Sequence, residues 1–456
     1  MKKTANIASS DESKRINDRG NGQHVAGLDV RMAAARALNE VLKGAAFEPM
    51  GEKLFKDGRD RALANRLTTT ALRRHGHLNE IIASLLKHGV PARSGLFEAI
   101  LRLGLTQLLF MADQAAHAAL YLSVEAVRRD KRAARFAGLL NAVLRKAQRE
   151  AQTWQSLDNS LLFPVWLQKK WRAQYGDDVL ERFGRALLAG APLDLTLADN
   201  DPELVMALGA KKILFDSVRI SHRDKPVVQL DFYDEGRWWV QDVAATIPAR
   251  LLELETGSMV LDMCAAPGGK TAQLFKAGYK VTALDNNPAR LARLEENLKR
   301  LNFKAQLVEG QAEDFCGDEK FDGVLIDAPC SASGTFRRHP EVIWNRKQKD
   351  VLSRLDLQRA LIRAAADNLK PGGVVVFCTC SLQAEEGEDQ ARWIEKNLKT
   401  LKADPISAAE LDGLTGAISN NGWVRTHPGL DVMDKEREND CLGTLDGFFI
   451  ARFRRV

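Results

Sequence analysis

A multidomain chain is predicted. An N-terminal all-α bundle leads through a small α+β linker region into a C-terminal α/β domain with a doubly wound, Rossmann-like sheet. Three observations carry this. At 456 residues the chain is too long for one ordinary domain. Residues 27–150 show helical periodicity and nothing else. From about residue 256 the rhythm becomes short apolar strand, loop and helix, repeated, as in a parallel sheet covered on both faces. Hydrophobic content of 45% and charged content of 28% fit a globular protein, and no apolar run approaches bilayer length.

The first segment, residues 1–26, opens with lysines but has no apolar core behind them, so it is not a secretory signal. A disordered polar lead-in and a cytoplasmic location are expected. Within residues 27–150, "LDVRMAAARALNEVL" sets Val30, Ala33, Ala34, Ala37, Leu38 and Val41 on one helical stripe. "RDRALANRLTTTALRRHG" is a helix for which Gly76 is the expected stop. "FEAILRLGLTQLLFM" and "FAGLLNAVLRKAQRE" are two more apolar helices. His75, His77, His88 and His117 are scattered and read as structural or surface histidines. In residues 151–255, "FPVWLQKKWRAQYG" is an amphipathic helix opened by Pro164, whose Trp166 and Trp171 are read as core rather than as RNA contacts. "DLTLADN" and "KPVVQLDFYDEGRWWVQD" suggest short strands.

In residues 256–456, "SMVLDMC", "KVTALD", "AQLVEG", "FDGVLIDAP" and "GGVVVFCTC" are five strands, and "DGFFIARF" a final antiparallel one. The helices between them are "TAQLFKAG" and "PARLARLEENLKRL". In such a sheet, ligands bind beyond the carboxyl ends of the strands. The unusual polar residues fall there: Cys264 and the glycine loop after the first strand, Asp285 after the second, Asp327 and Cys330 after the fourth, Cys380 after the fifth.

The net charge of +6 is unevenly spread. Arg128, Arg129, Lys131, Arg132, Arg135, Arg145, Lys146 and Arg149 form one cluster, and Arg337, Arg338, Arg346, Lys347 and Lys349 a second. Both suit a polyanion, or equally a solvated helix face. Six cysteines in a large intracellular chain are expected to be reduced. Cys378 and Cys380 lack a second Cys or His pair at ligand spacing, so no metal site is expected. Cys378 reads as interior packing; Cys264 and Cys316 suggest no catalytic geometry, and Cys441 has no reading.

"DMCAAPGGKT" has neither the dinucleotide nor the P-loop spacing. Gly268 and Gly269 allow close backbone approach, and the following helix offers free N–H groups to a carboxylate. Asp285 is placed to accept hydrogen bonds from ribose hydroxyls. A nucleoside bearing a carboxylate and no phosphate is S-adenosylmethionine. With strand order 3-2-1-4-5, Cys330 and Cys380 face one pocket beside that donor. Thiols beside a methyl donor and a basic surface suit methylation at carbon 5 of a pyrimidine, since thiolate addition at carbon 6 makes carbon 5 nucleophilic. A helix expected to begin near Ala384 would favour the Cys380 thiolate. Asp327 would hydrogen-bond the pyrimidine's ring nitrogen or exocyclic amine.

These motifs, "DMCAAPGGKT", "DAPCSASGTFRRHP" and "TCS", together with "VQD" at Val240 to Asp242 and "DGFFIARF", resemble the RsmB/NOP family of RNA (cytosine-5) methyltransferases. "HAALYLSVEAV" and "FAGLLNAVLR" are similar to the NusB-like RNA-binding domain that, within that family, marks enzymes acting on 16S rRNA. The resemblance implies that Cys380 is the nucleophile and that Cys330 assists proton removal or product release. It also implies that Cys264, Ala265, Ala266, Pro267, Gly268, Gly269, Lys270, Asp285 and Asp327 line the cofactor site. Where the family has an acid after the glycine ending the third strand, this chain has Gln311, which can still hydrogen-bond adenine unless Glu313 or Asp314 substitutes. The implied partner is 16S rRNA with a single-stranded or flipped-out cytosine; no membrane and no obligate protein partner are implied. The alternatives are a tRNA methyltransferase and a non-catalytic RNA-binding or antitermination factor.

Overall fold

The alanine-rich stretch after Gly27 folds as its periodicity requires, into α1 (Leu28–Leu42) with Val30, Ala33, Ala34, Leu38 and Val41 buried. The computed structural model describes residues 25–111, 113, 115–220, 225–317, 319–430 and 445–456. Most of the expected polar lead-in and Cys441 lie outside these. Around α1 pack α2 (Gly58–Arg73), α3 (His75–Leu85), α4 (Phe97–Phe110), α5 (Ala116–Arg129) and α6 (Ala137–Arg149), sharing one apolar core. Gly76 is not a helix stop. The chain breaks at Arg74, and Gly76 sits inside α3, where a Cβ would come within 1.8 Å of the Leu161 carbonyl oxygen. His77 is buried: Arg74 Nη1 donates to its Nδ1 (3.0 Å), so its Nε2 carries the proton toward the Asp158 carbonyl (3.1 Å).

The middle region holds α7 (Ala151–Gln155), α8 (Val165–Tyr175) and α9 (Asp177–Ala189), then β1 (Leu193–Leu197), α10 (Pro202–Ala207), β2 (Lys211–Lys212), β3 (Ser217–Ile220) and β4 (Trp238–Val240). The four strands form one antiparallel sheet in the order β2-β3-β1-β4. Trp171 is fully buried against Phe163, Phe183 and Phe336, and Trp166 packs at the edge of the same cluster, so both tryptophans are core. Phe336 belongs to the loop that carries Cys330, so this core also supports the candidate site.

After α11 (Val243–Arg250) come β5 (Met259–Met263), α12 (Gly269–Lys276), β6 (Lys280–Asp285), α13 (Pro288–Arg300), β7 (Gln306–Glu309) and β8 (Phe321–Asp327). Then follow α14 (Val342–Asn345), α15 (Gln348–Leu352), α16 (Leu355–Asn368), β9 (Leu369–Thr379), α17 (Glu388–Asn397), β10 (Leu401–Ala403), β11 (Val424–Thr426) and β12 (Phe448–Arg455). The sheet order is β10-β12-β9-β8-β5-β6-β7, with β11 also on β12. β5 to β9 are mutually parallel and β12 runs antiparallel to β9. The expected order 3-2-1-4-5 is thus β7-β6-β5-β8-β9. β7 is the edge strand and only half-covered, unlike the buried strand expected. Among the described residues, no helix is long and apolar enough to cross a membrane.

Candidate active site

The cofactor side is built on the end of β5. Cys264 (φ 62°) and Gly268 (φ 102°) turn the chain sharply from strand to α12. Across the turn, Ala265 N–H donates to the Leu284 carbonyl (3.0 Å) and Ala266 N–H to Asp285 Oδ2 (3.2 Å), while Pro267 accepts from Asn297 Nδ2 (3.2 Å). Asp285, at the end of β6 and almost fully buried, also accepts from Asn287 N–H (3.1 Å). Cys264, Asp285, Asn286, Arg290, Gln311, Ala312, Pro329 and Leu357 line the adjoining cleft. Gln311 Oε1 accepts from Asn286 Nδ2 (3.0 Å), which leaves its own amide N–H groups for a ligand. Burial, helped by Asp327 and Asp285, pushes the Cys264 thiol up to about 12, so it is a neutral wall of the cleft.

One residue here escaped sequence reasoning. Asp262, inside β5, accepts from Thr271 Oγ1 (2.6 Å) through Oδ2, while its buried Oδ1 has no partner. Burial pushes its carboxyl up to about 7. A carboxylate in an otherwise apolar strand was the available signal. S-adenosylmethionine fits these residues: the orphaned oxygen is an acceptor for an ammonium group, the α12 N-terminus suits a carboxylate, and Asp285 suits ribose.

The thiol side lies at the ends of β8 and β9. Asp327 stands beside Cys378 in the ladder, and its Oδ2 pairs with Lys270 Nζ at 2.8 Å. Burial acts to lower the Lys270 pKa, but the charge and hydrogen bond of Asp327 outweigh it and hold the ammonium above its ordinary range. Cys378 is buried, with Sγ 3.7 Å from Asp327 Oδ1; burial, and then Asp327, keep it a thiol.

Cys330 Sγ and Cys380 Sγ are 3.5 Å apart, both half-buried. Cys330 is raised well above the usual thiol range, first by its hydrogen bond to Cys380 and then by burial. The two sulfurs are within S–H···S distance, and either can donate to the other. The loops crossing here are clamped through backbone: Gly334 N–H donates to the Cys380 carbonyl and Gly447 N–H to the Gly334 carbonyl, both at 2.9 Å. A Cβ on Gly334 would come within 1.9 Å of the Gly447 oxygen.

One expectation fails here. The chain after Cys380 makes only a single 3-10 turn over Ala384–Glu386, and the α-helix starts at Glu388, so no α-helix N-terminus faces Cys380 directly. The cations within electrostatic reach of Cys380 are Lys270 and Arg338. The acids of that run do lie in first turns, Glu385 and Glu386 in the 3-10 turn and Glu388 in α17. Glu386 is fully buried, Glu385 pairs with Lys170, and Glu388 pairs with Arg425.

Arg337, grouped by sequence with a basic surface, is fully buried between Asp242 (2.8 Å) and Asp446 (2.7 Å), and Arg338 also pairs with Asp446. Its partners are remote in sequence, which is why a pair of arginines read as surface. The cluster from Arg128 to Arg149 is exposed throughout. Cys316 is exposed and away from both thiols. Among the described residues, no group of three or more His, Cys, Asp and Glu side chains could hold a metal.

Residues 249–454 match the family of the 16S rRNA methyltransferase RsmB/F, and residues 28–149 match the NusB family. The chain is similar to the ribosomal RNA small subunit methyltransferase B of Vibrio vulnificus, 32% identical over 93% of this chain and 99% of that one. The Klebsiella pneumoniae protein of the same name is 33% identical over 80% of this chain and 88% of its own. Among solved structures, PH0851 superposes with a TM-score of 0.72 at 21% identity, covering 95% of this chain and all of that one. NSun6 from Pyrococcus horikoshii, solved with SFG, superposes at 0.52 and 20% identity, over 64% of this chain and 98% of its own. At these identities the structural matches speak for the fold alone.

Proposed function

The chain belongs to the 16S rRNA methyltransferase RsmB/F family, and on that premise we propose that it methylates carbon 5 of a cytosine in 16S rRNA with Cys380 as nucleophile. The observation that carries this is the Cys330–Cys380 contact of 3.5 Å, set beside the Lys270–Asp327 pair and the loop that suits S-adenosylmethionine. When bound, S-adenosylmethionine supplies an electrophilic methyl group.

The Cys380 thiolate, held by the Cys330 S–H and by Lys270 and Arg338, adds to carbon 6, and the ring's electron pair moves to carbon 5. Asp327, oriented by Lys270, accepts a hydrogen bond from the exocyclic amine. Carbon 5 would then take the methyl group as its bond to the sulfonium sulfur breaks, with S-adenosylhomocysteine as the leaving group. Once Cys380 is a thioether it no longer accepts a charged hydrogen bond, so the largest cause raising the Cys330 pKa is gone. Cys330 can lose its proton to solvent and accept the proton from carbon 5. The carbon 6–sulfur bond breaks, its electrons return to Cys380, and the thiol–thiolate pair is restored.

The cytosine must leave its stack for the thiolate to reach carbon 6. The exposed arginines and lysines between Arg128 and Arg149 support the helical half, residues 27–150, as an rRNA-binding unit. The proposed division continues with residues 151–255 as linker and 256–456 as the methyl-transferring domain. The cytoplasm is its proposed compartment, because the RNA is there. The test is bisulfite mapping of 16S rRNA with purified variants. Cys380→Ala should abolish the modification, and Cys330→Ala should accumulate a protein–RNA adduct that survives denaturant. Normal methylation by Cys380→Ala would overturn the assignment.

A further inference from the structure

The two thiols sit on different loops, one after β8 and one after β9, and nothing in their own side chains fixes their separation. The residue following each does. Ser331 donates to Glu386 twice, from its backbone N–H to Oε1 (2.8 Å) and from Oγ to Oε2 (2.6 Å). Ser381 Oγ donates to the same Oε2 (2.6 Å). Ser333 Oγ lies 3.2 Å from Ser331 Oγ and 3.3 Å from Ser381 Oγ, and itself accepts from Leu382 N–H (3.0 Å). Ser381 Oγ also accepts from Gln383 N–H (3.0 Å), and Thr379 Oγ1 donates to the Glu386 carbonyl (3.1 Å). Glu386 is fully buried, and no ion pair among the described residues reaches it.

A carboxylate only accepts, so an ionised Glu386 forces both serine hydroxyls to point at it. Each serine then has one allowed orientation, and the two loops are tied to one pair of oxygens. Isolated burial of such a group is costly and is tolerated where charge-assisted hydrogen bonds satisfy it. Nothing in the methyl-transfer chemistry uses Glu386, and it does not touch the reacting atoms.

We propose that Glu386 is a positioning residue, a buried strap that sets the distance between Cys330 and Cys380 by holding Ser331 and Ser381. This rests on the assignment of those thiols to the reaction. Its distinctive readout is nevertheless thiol separation, which can be measured without RNA or methyl donor.

The experiment treats the full chain with diamide. The azo oxidant takes one hydrogen from each thiol, becoming a hydrazine as the Cys330–Cys380 disulfide forms. Peptide mapping gives the rate of closure. At a resting separation of 3.5 Å the unaltered protein should close quickly. Glu386→Ala should slow closure by about tenfold or more and lower kcat to a similar degree, while affinity for S-adenosylmethionine changes little. Glu386→Gln, which can still accept from Ser331 N–H and engage both hydroxyls, should recover most of the closure rate. Closure by Glu386→Ala at the unaltered rate would overturn the proposal. So would a loss that Gln does not recover and that comes with weakened cofactor binding. Should Glu386→Ala not fold, Ser381→Ala removes the strap on one side only, and an unchanged closure rate in that variant is equally fatal. Absence of methylation in every variant, with closure behaving as expected, would count against the enzymatic reading and leave the strap standing.

Discussion

Replacing Arg337 by Met should destabilise the C-terminal domain far more than any exposed arginine would. The guanidinium is fully buried, with Nη2 2.8 Å from Asp242 and 2.7 Å from Asp446, and Nε 3.1 Å from Asp446. Breaking a buried pair by removing one partner costs about 3–5 kcal/mol, because a charge is left without compensation. Arg338 remains on Asp446 after the change. Asp242 is the group that loses its guanidinium partner, keeping the backbone N–H of Ala244 (2.9 Å) and of Asp446 (3.3 Å) and the more distant charges of Arg338 and Arg219. The loss should therefore fall near the lower end, about 3 kcal/mol. With a urea m-value of about 2 kcal/mol/M, the unfolding midpoint of that domain should drop by about 1.5 M. Lys347→Met, on an exposed neighbour, should stay within about 0.5 kcal/mol. Adding Asp242→Asn to Arg337→Met removes the stranded charge and keeps the cap on Ala244, so it should restore more than half the loss. A loss below about 1 kcal/mol for Arg337→Met, or no recovery in the double variant, would refute the reasoning.

Lys270→Gln removes the cation that pairs with Asp327 and lies within electrostatic reach of Cys378 and Cys380. Single-turnover methylation should fall by about a hundredfold or more, while fluorescence-monitored unfolding changes far less. Gly334→Ala drives a Cβ to 1.9 Å from the Gly447 oxygen, so the Cys380 loop must shift. A loss of about 2 kcal/mol in urea, together with a fall in kcat, is expected. The third concerns acid. Burial holds the His77 imidazole down at about 4, against an ordinary value of about 6.5, and Arg74 requires it neutral. Unfolding lets it take a proton below pH 6.5. Its contribution is thus intact above that pH, has fallen by about 2 kcal/mol at pH 5, and continues to fall toward pH 4. Urea titrations of the protein and of His77→Gln at pH 7 and 5 should show the variant losing less on acidification.

The rim of the sheet was legible because apolar strands announce their own ends. Five short runs of Val, Ile, Leu and Phe place Cys264, Asp285, Asp327, Cys330 and Cys380 at strand ends, and the order expected of a doubly wound sheet is the one observed. What escaped depends on residues distant in the chain. Arg337 looks like a surface arginine until Asp446 and Asp242 are brought to it. Glu386 looks like one acid in an exposed run until two loops deliver four hydroxyls around it. Gly76 looks like a stop signal until the Leu161 carbonyl crosses it. Local pattern encodes where a strand or helix ends. It does not encode which burial a charge or a glycine will later meet.

The insertion of β12 between β9 and β10 has a consequence for the chain as it is being made. Cys330 and Cys380 leave the ribosome well before β12, yet β12 is the neighbour that closes the open edge of β9, and Gly447 just before it pins Gly334. Until that late strand emerges, the thiol loops lack one of their walls and the ladder that carries them has a bare edge. The thiol pair therefore gains its last wall only after nearly all the rest of the sheet has been synthesised. A nascent chain still on the ribosome, itself surrounded by ribosomal RNA, holds two cysteines whose loops have not yet been pinned together.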